Sequence, residues 1–185
     1  LGFRGHKGTL ELLKAVKFVK SRAFRLTVRA QDTNALRSAM AQTPEVERDP
    51  RVIVQYGETP REMLFSPDHD VFVLCEKYNG LSLPLIEARA AGMLVVTRDR
   101  FRTNTWLPRW PLISVKSYST QQVGGAYREY QEAYLTPERI AETIDNVIEQ
   151  DVTAYSLEGK AWADANSWER LKPSWVEALR KVVEG

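Results

Sequence analysis

The chain has 185 residues and a mass of 21.1 kDa, 43% hydrophobic and 27% charged. That excludes a mostly disordered chain and gives a single domain enough length for a core of its own. With 26 basic and 24 acidic residues the net charge is +2, which offers no argument for bulk nucleic-acid binding. The lone cysteine, Cys75, excludes an internal disulfide framework and any multi-cysteine metal site.

Helical and strand patterns alternate along the chain. Over Gly8 to Ala23, Leu12, Leu13, Val16 and Val19 share one helical stripe, with Lys14, Lys17 and Ser21 on the far side and Thr9 as the expected N-cap. Phe24 to Ala30 alternates as a strand, and Thr33 to Gln42 reads as a short helix. Arg51 to Tyr56 is the next strand, closed by Gly57, and Pro60 to Ser66 forms one or two helical turns with Pro60 at the first position. Asp70 to Cys75 is nearly continuously apolar, as a parallel strand covered on both faces should be. Leu83 to Ala91 is helical, Gly92 stops it, and Met93 to Thr97 is another buried strand; Pro111 to Val115 is a candidate sixth. Residues 98–135 are the least regular, and the tyrosines at 118, 127, 130 and 134 suggest no function. Pro137 to Gln150, Tyr155 to Ala165 and Trp168 to Val183 read as helices, with Pro173 expected to break the last or start it afresh.

The pattern predicts an α/β fold, a Rossmann-like doubly wound parallel sheet with C-terminal helices. One domain covers 1–185, with a sheet core over 1–115 and a mostly helical part over 116–185. Such a domain opens with a hydrophobic strand, and only Leu1-Gly2-Phe3 precedes the first turn here, so a natural neighbour upstream is expected. No apolar run approaches the ~18 residues of a membrane span, and the opening residues lack a secretory leader pattern.

Most of the chemistry lies in Asn79-Gly80-Leu81-Ser82-Leu83-Pro84-Leu85-Ile86-Glu87. This segment follows a buried strand, turns through Gly80 and opens a helix. Ligands of open α/β sheets sit beyond the carboxyl ends of the strands, where a helix N-terminus suits a phosphate. Glu87, one turn into the helix, is placed to accept hydrogen bonds from a ribose diol. Equally, a glutamate in a first turn can simply complement the helix dipole.

Gly80, Leu83, Pro84, Glu87, Ala88, Gly92, Val95 and Val96 resemble the signature of retaining GT-B glycosyltransferases, family 4 in particular. Asp70 to Leu74, Val52 to Gly57 and Ser167-Trp168-Glu169 resemble the flanking strands and the last helix, so the likeness spans nearly the whole chain in order. It implies the C-terminal, donor-binding half of such an enzyme, taking a UDP- or GDP-sugar for retaining, metal-independent transfer. The expected partners are the nucleotide-sugar donor and an acceptor-binding N-terminal domain, with no nucleic acid, no cofactor and no metal.

By the resemblance, Arg4 and Lys7 hold the donor diphosphate and are the catalytic candidates. Asn79, Gly80, Leu81, Ser82 and Leu83 bind phosphate and sugar, Glu87 takes the ribose, and Gly57 lies in the loop that meets the nucleobase. Fixed cations suit the negative charge that builds on a leaving diphosphate. Three features depart from the family. Its first glutamate, eight residues before Glu87, is Asn79; its glycine before Leu-Pro is Ser82; and its Gly-Gly-x-Pro-Glu segment is replaced by Thr103 to Pro108. These departures keep a non-catalytic GT-B-like scaffold open as an alternative, beside a related enzyme such as an epimerase or a phosphorylase.

Asp68-His69-Asp70 has metal-motif spacing but precedes a strand, the wrong end for a ligand. Cys75 is expected to pack in a strand. Trp162, Trp168 and Trp175 are expected in helix cores, while Trp106 and Trp110 fall in the irregular loop as packing or cleft residues. The expected location is cytoplasmic, free or at the cytoplasmic membrane face.

Overall fold

A computed structural model describes residues 7–30, 32–122 and 129–184. The elements are α1 (Thr9–Ala15), β1 (Leu26–Ala30), α2 (Thr33–Ala41), α3 (Pro44–Glu47), β2 (Val52–Tyr56), α4 (Arg61–Leu64), β3 (Val71–Leu74), α5 (Leu83–Ala90), β4 (Leu94–Thr97), β5 (Ser117–Gln122), β6 (Glu129–Tyr134), α6 (Pro137–Ile148), α7 (Thr153–Ala165) and α8 (Trp168–Glu184). β1 pairs parallel with β2, from Leu26 opposite Val52 to Ala30 opposite Tyr56. β3 pairs parallel with β4, from Val71 opposite Leu94 to Leu74 opposite Thr97. Parallel strands joined through helices are the expected Rossmann-like arrangement. Among the described residues they form two separate pairs.

The β3–β4 pair is covered on both faces, as its apolar runs require. Val71, Val73, Leu94 and Val96 face a core built from Leu12, Leu13, Val16, Val28, Leu36 and Ile140. Leu74 and Val95 face the opposite way, with Phe72, onto Leu85, Ala88 and Leu107. Each such side chain taken out of water contributes about 1.5–3 kcal/mol. α5 ends as the sequence requires. Gly92 takes φ +82, its amide bonds Arg89 O at 3.0 Å, and Met93 N bonds Ala88 O at 3.0 Å, which satisfies the last carbonyls. Among the described residues no helix is long and apolar enough to cross a membrane.

Several expectations are corrected. The first helix is shorter than Gly8 to Ala23, closing in a 3₁₀ turn over Val16–Phe18. Arg51 caps that end, donating to Val19 O at 2.8 Å and Val16 O at 3.2 Å, while Asp145 accepts from the amides of Lys20 and Ser21. Gly8, not Thr9, is the N-cap, in a left-handed conformation that brings Thr9 inside. Pro60 caps α4 rather than opening it. Residues 111–115 contribute a single parallel bridge between Ile113 and Arg98 instead of a strand.

The irregular stretch contains an antiparallel hairpin, β5 on β6, from Ser117 opposite Tyr134 to Gln122 opposite Glu129. The part beyond 116 is therefore a hairpin followed by three helices. Pro173 lies inside a continuous α8; in the second turn it forfeits one hydrogen bond, to Glu169 O. α8 has no buried residue. Trp168 and Trp175 are 68% and 56% exposed and face each other at 6.4 Å, so they are not core residues.

Candidate functional site

The site lies at the carboxyl ends of β3 and β4. Gly8, at φ +66, lets the chain pass so close to the end of β3 that a Cβ there would stand 1.8 Å from Cys75 O. That approach brings Lys7 beside Glu76, the first residue after Cys75. Glu76 is fully buried and accepts from Lys7 Nζ; it also accepts from Asn79 Nδ2 at 3.0 and 3.1 Å. Arg100, reaching in from the loop after β4, sets Nη2 3.5 Å from the same carboxylate and donates through Nη1 to Asn79 O at 3.0 Å. Asn79 Oδ1 in turn accepts from Gly80 N at 2.7 Å. One buried carboxylate thus ties together the first loop, the turn before α5 and the loop after β4.

Burial pushes the Glu76 carboxyl up. The hydrogen bond and charge of Lys7, the nearby Ser82 hydroxyl and the Asn79 amide more than offset this and hold it below its ordinary value of 4.5. Burial lowers the pKa of Arg100, and the Glu76 charge opposes the shift. The Cys75 thiol is pushed up to about 12 by burial, so it stays protonated and is a packing residue.

The hairpin braces this region from behind. Arg98, buried, donates through Nε to Cys75 O at 2.8 Å and through Nη1 to Ala133 O, and Ala133 N bonds Lys77 O at 3.2 Å. Neither Glu76 nor Arg100 nor the hairpin was singled out from the sequence. A glutamate followed by a lysine, in what reads as a loop, carries no signal of burial.

A cleft of 1340 Å³ runs along the strands, from Lys7 near their carboxyl ends to Phe24 and Asp68 at their amino ends, lined on the way by β1 and β3. Lys7 and Glu87 both line it. Ser82 is the N-cap of α5 at φ +57, a left-handed backbone that costs an L-residue about 1–2 kcal/mol, and it is buried. The glycine that the family carries at this position meets that backbone demand. Ser82→Gly is therefore expected to raise stability by about 1 kcal/mol in denaturant unfolding, since the hydroxyl it removes is buried with no hydrogen-bond partner among the described residues.

Gly80, Leu81 and Leu83 are exposed along the turn, the two leucines at 61% and 68%. Gly57 closes β2 at φ +96, and a Cβ there would meet nothing within 4 Å. Arg4 lies outside the described residues. Asp68 to Asp70 stand before β3, at the amino end of the strand.

No protein-family model and no curated protein matches the chain. Solved structures do match. The C-terminal domain of a glycosyl transferase group 1 family protein, LpcC from Francisella tularensis, aligns at TM-score 0.56 and 15% identity over 88% of this chain and 80% of that one. The pneumococcal O-GlcNAc transferase GtfA, solved with UDP and GlcNAc, aligns at TM-score 0.64 and 13% identity over 99% of this chain. A GtfA/B complex aligns at TM-score 0.59 and 15% identity over 88%. The chain has the fold of the C-terminal half of a GT-B glycosyltransferase. It spans 35% and 36% of the two Gtf chains, about a third of each.

Proposed function

We propose that this GT-B half-domain binds the nucleoside-diphosphate sugar of a retaining, metal-independent glycosyltransferase. The observation that carries the reading is that Lys7, Pro84 and Glu87 line one cleft, with Lys7 and the start of α5 at the carboxyl end of β3. Lys7, with Arg4, would hold the diphosphate and take up the charge that builds on it as the glycosidic bond breaks. Ser82 O already accepts from Leu85 N and Ile86 N, and Pro84 has no N–H, so an anion at this helix end would meet the amides of the Leu81 to Leu83 turn. Asn79 and Gly80 belong to the same turn and would face the sugar. Glu87 would accept from the ribose diol, and the backbone around Gly57 would meet the base.

Transfer would require an acceptor-binding domain. The uncovered apolar stripe of α8, with Trp168, Trp175, Leu179 and Val182 all exposed, is a surface such a domain would cover. Ser82 at a glycine's backbone favours the second reading, a scaffold that kept the fold and lost the ligand.

Calorimetric titration with UDP, GDP and their sugars, with and without a divalent cation, separates the two. A donor domain binds one nucleotide class with or without metal, and Lys7→Ala and Glu87→Ala each weaken that binding by about 1–3 kcal/mol. Absence of binding to every nucleotide, alone and with the partner domain supplied, refutes the donor reading. Unchanged affinity in Glu87→Ala removes Glu87 from the site.

A further inference from the structure

We propose that Glu76 is the positioning residue of this site, the buried carboxylate that aims the Lys7 ammonium and the Asn79 to Ser82 turn at the diphosphate. The inference rests on the donor-site reading and adds a residue to which neither the family signature nor the sequence pattern points. With its side chain fully buried, Glu76 does not touch a ligand; it acts through what it holds.

Lys7 is the partner that reaches outward. Its side chain keeps 20% of its surface and lines the cleft, while Nζ donates inward to Glu76. An ammonium has three donors, so one spent on a fixed carboxylate orients the other two and removes the freedom of a long side chain.

The same carboxylate accounts for Asn79. A glutamate there would set a second negative charge against a buried one, whereas an amide donates to both Glu76 oxygens. The carboxylate has in effect moved three residues toward the strand, and the uncharged residue at 79 is its complement. Arg100 keeps the arrangement in credit: two cations against one anion leave the cluster net positive toward an incoming phosphate even while Glu76 is ionised.

The test is a double-mutant cycle of Lys7→Ala and Glu76→Gln, read by calorimetry with UDP and GDP and, separately, with uridine and guanosine. Circular dichroism melts check folding, and Glu76→Asp serves where the glutamine variant does not fold. Glu76→Gln should weaken nucleoside-diphosphate binding about tenfold and leave nucleoside binding unchanged. In the Lys7→Ala background the same change should cost less than threefold, because only its hold on the Asn79 to Ser82 turn is left to lose. Relocating the charge in Glu76→Asn/Asn79→Glu should recover most of the lost affinity.

An equal loss with and without Lys7, or a folded Glu76→Gln chain with full diphosphate affinity, overturns the proposal. A wild-type chain that binds no nucleotide sinks the donor reading instead. The Glu76 inference then stands or falls on the ligand-free Lys7 Nζ resonance. Slow solvent exchange that is lost in Glu76→Gln supports the grip, and fast exchange in the wild type overturns it.

Discussion

Replacing Gly8 with alanine is expected to destabilise the fold by about 3 kcal/mol or more, the sum of two separate penalties. The first is conformational. Gly8 sits at φ +66, where an L-residue pays for the approach of its Cβ to its own backbone. The second is steric. A Cβ at this position would lie 1.8 Å from Cys75 O, 2.7 Å from Cys75 C and 2.9 Å from Arg98 Nη2. The two closest atoms are backbone at the end of β3, in the covered strand pair, so the neighbour cannot swing aside as a surface side chain would.

The first loop must therefore back away, and Lys7 with it. Loss of stability should come with loss of the Lys7–Glu76 pair, so nucleotide affinity should fall in any Gly8→Ala chain that still folds. Urea unfolding measures the first effect and titration at low temperature the second. A stable Gly8→Ala chain would mean that the loop does not pass this close to β3.

Much of the frame was legible because each element carried its own signal. β3 and β4 announced themselves by apolar runs, and both are covered on two faces. Gly92 marked the end of α5 through a backbone demand that glycine meets most easily. The turn before α5 was legible too, since Pro84 and Gly80 punctuate it.

What could not be read depends on tertiary partners. The amphipathic stripe of α8 identifies a face but not what covers it, so Trp168 and Trp175 read as core and are exposed. Ser117 to Tyr134 is polar and weakly alternating, and its hairpin is held in place by contacts far off in sequence, from Lys77 and Arg98. Nothing in the sequence marks Glu76, because its three partners, Lys7, Asn79 and Arg100, converge only once the strand ends are side by side.

Arg89→Ala should have the second large effect, about 3 kcal/mol, although Arg89 touches no expected ligand. The side chain is 5% exposed on the inner face of α5. Its guanidinium stands 4.5 Å from the Trp162 ring and 6.0 Å from the Trp106 ring, and the two rings stack at 5.2 Å. Nη1 donates to Trp106 O at 2.6 Å, and Nη2 reaches Glu158 Oε1 at 3.1 Å.

Of these, the Glu158 pair contributes least, because Glu158 is 57% exposed and screened by water. The desolvated cation–π contact, the charged bond to a backbone carbonyl and the volume lost beside the stacked rings make up the bulk. Two variants separate the parts. Glu158→Gln should cost under 1 kcal/mol, and Arg89→Lys should recover only part of the loss, since an ammonium cannot lie flat against a ring while reaching a carbonyl. Gly159, whose Cβ would meet Arg89 O at 3.0 Å, lets α7 come this close to α5. Arg89 is thus the bolt between α5 and α7. A variant that melts early but keeps full nucleotide affinity at low temperature would show that the start of α5 is held from the Glu76 side alone.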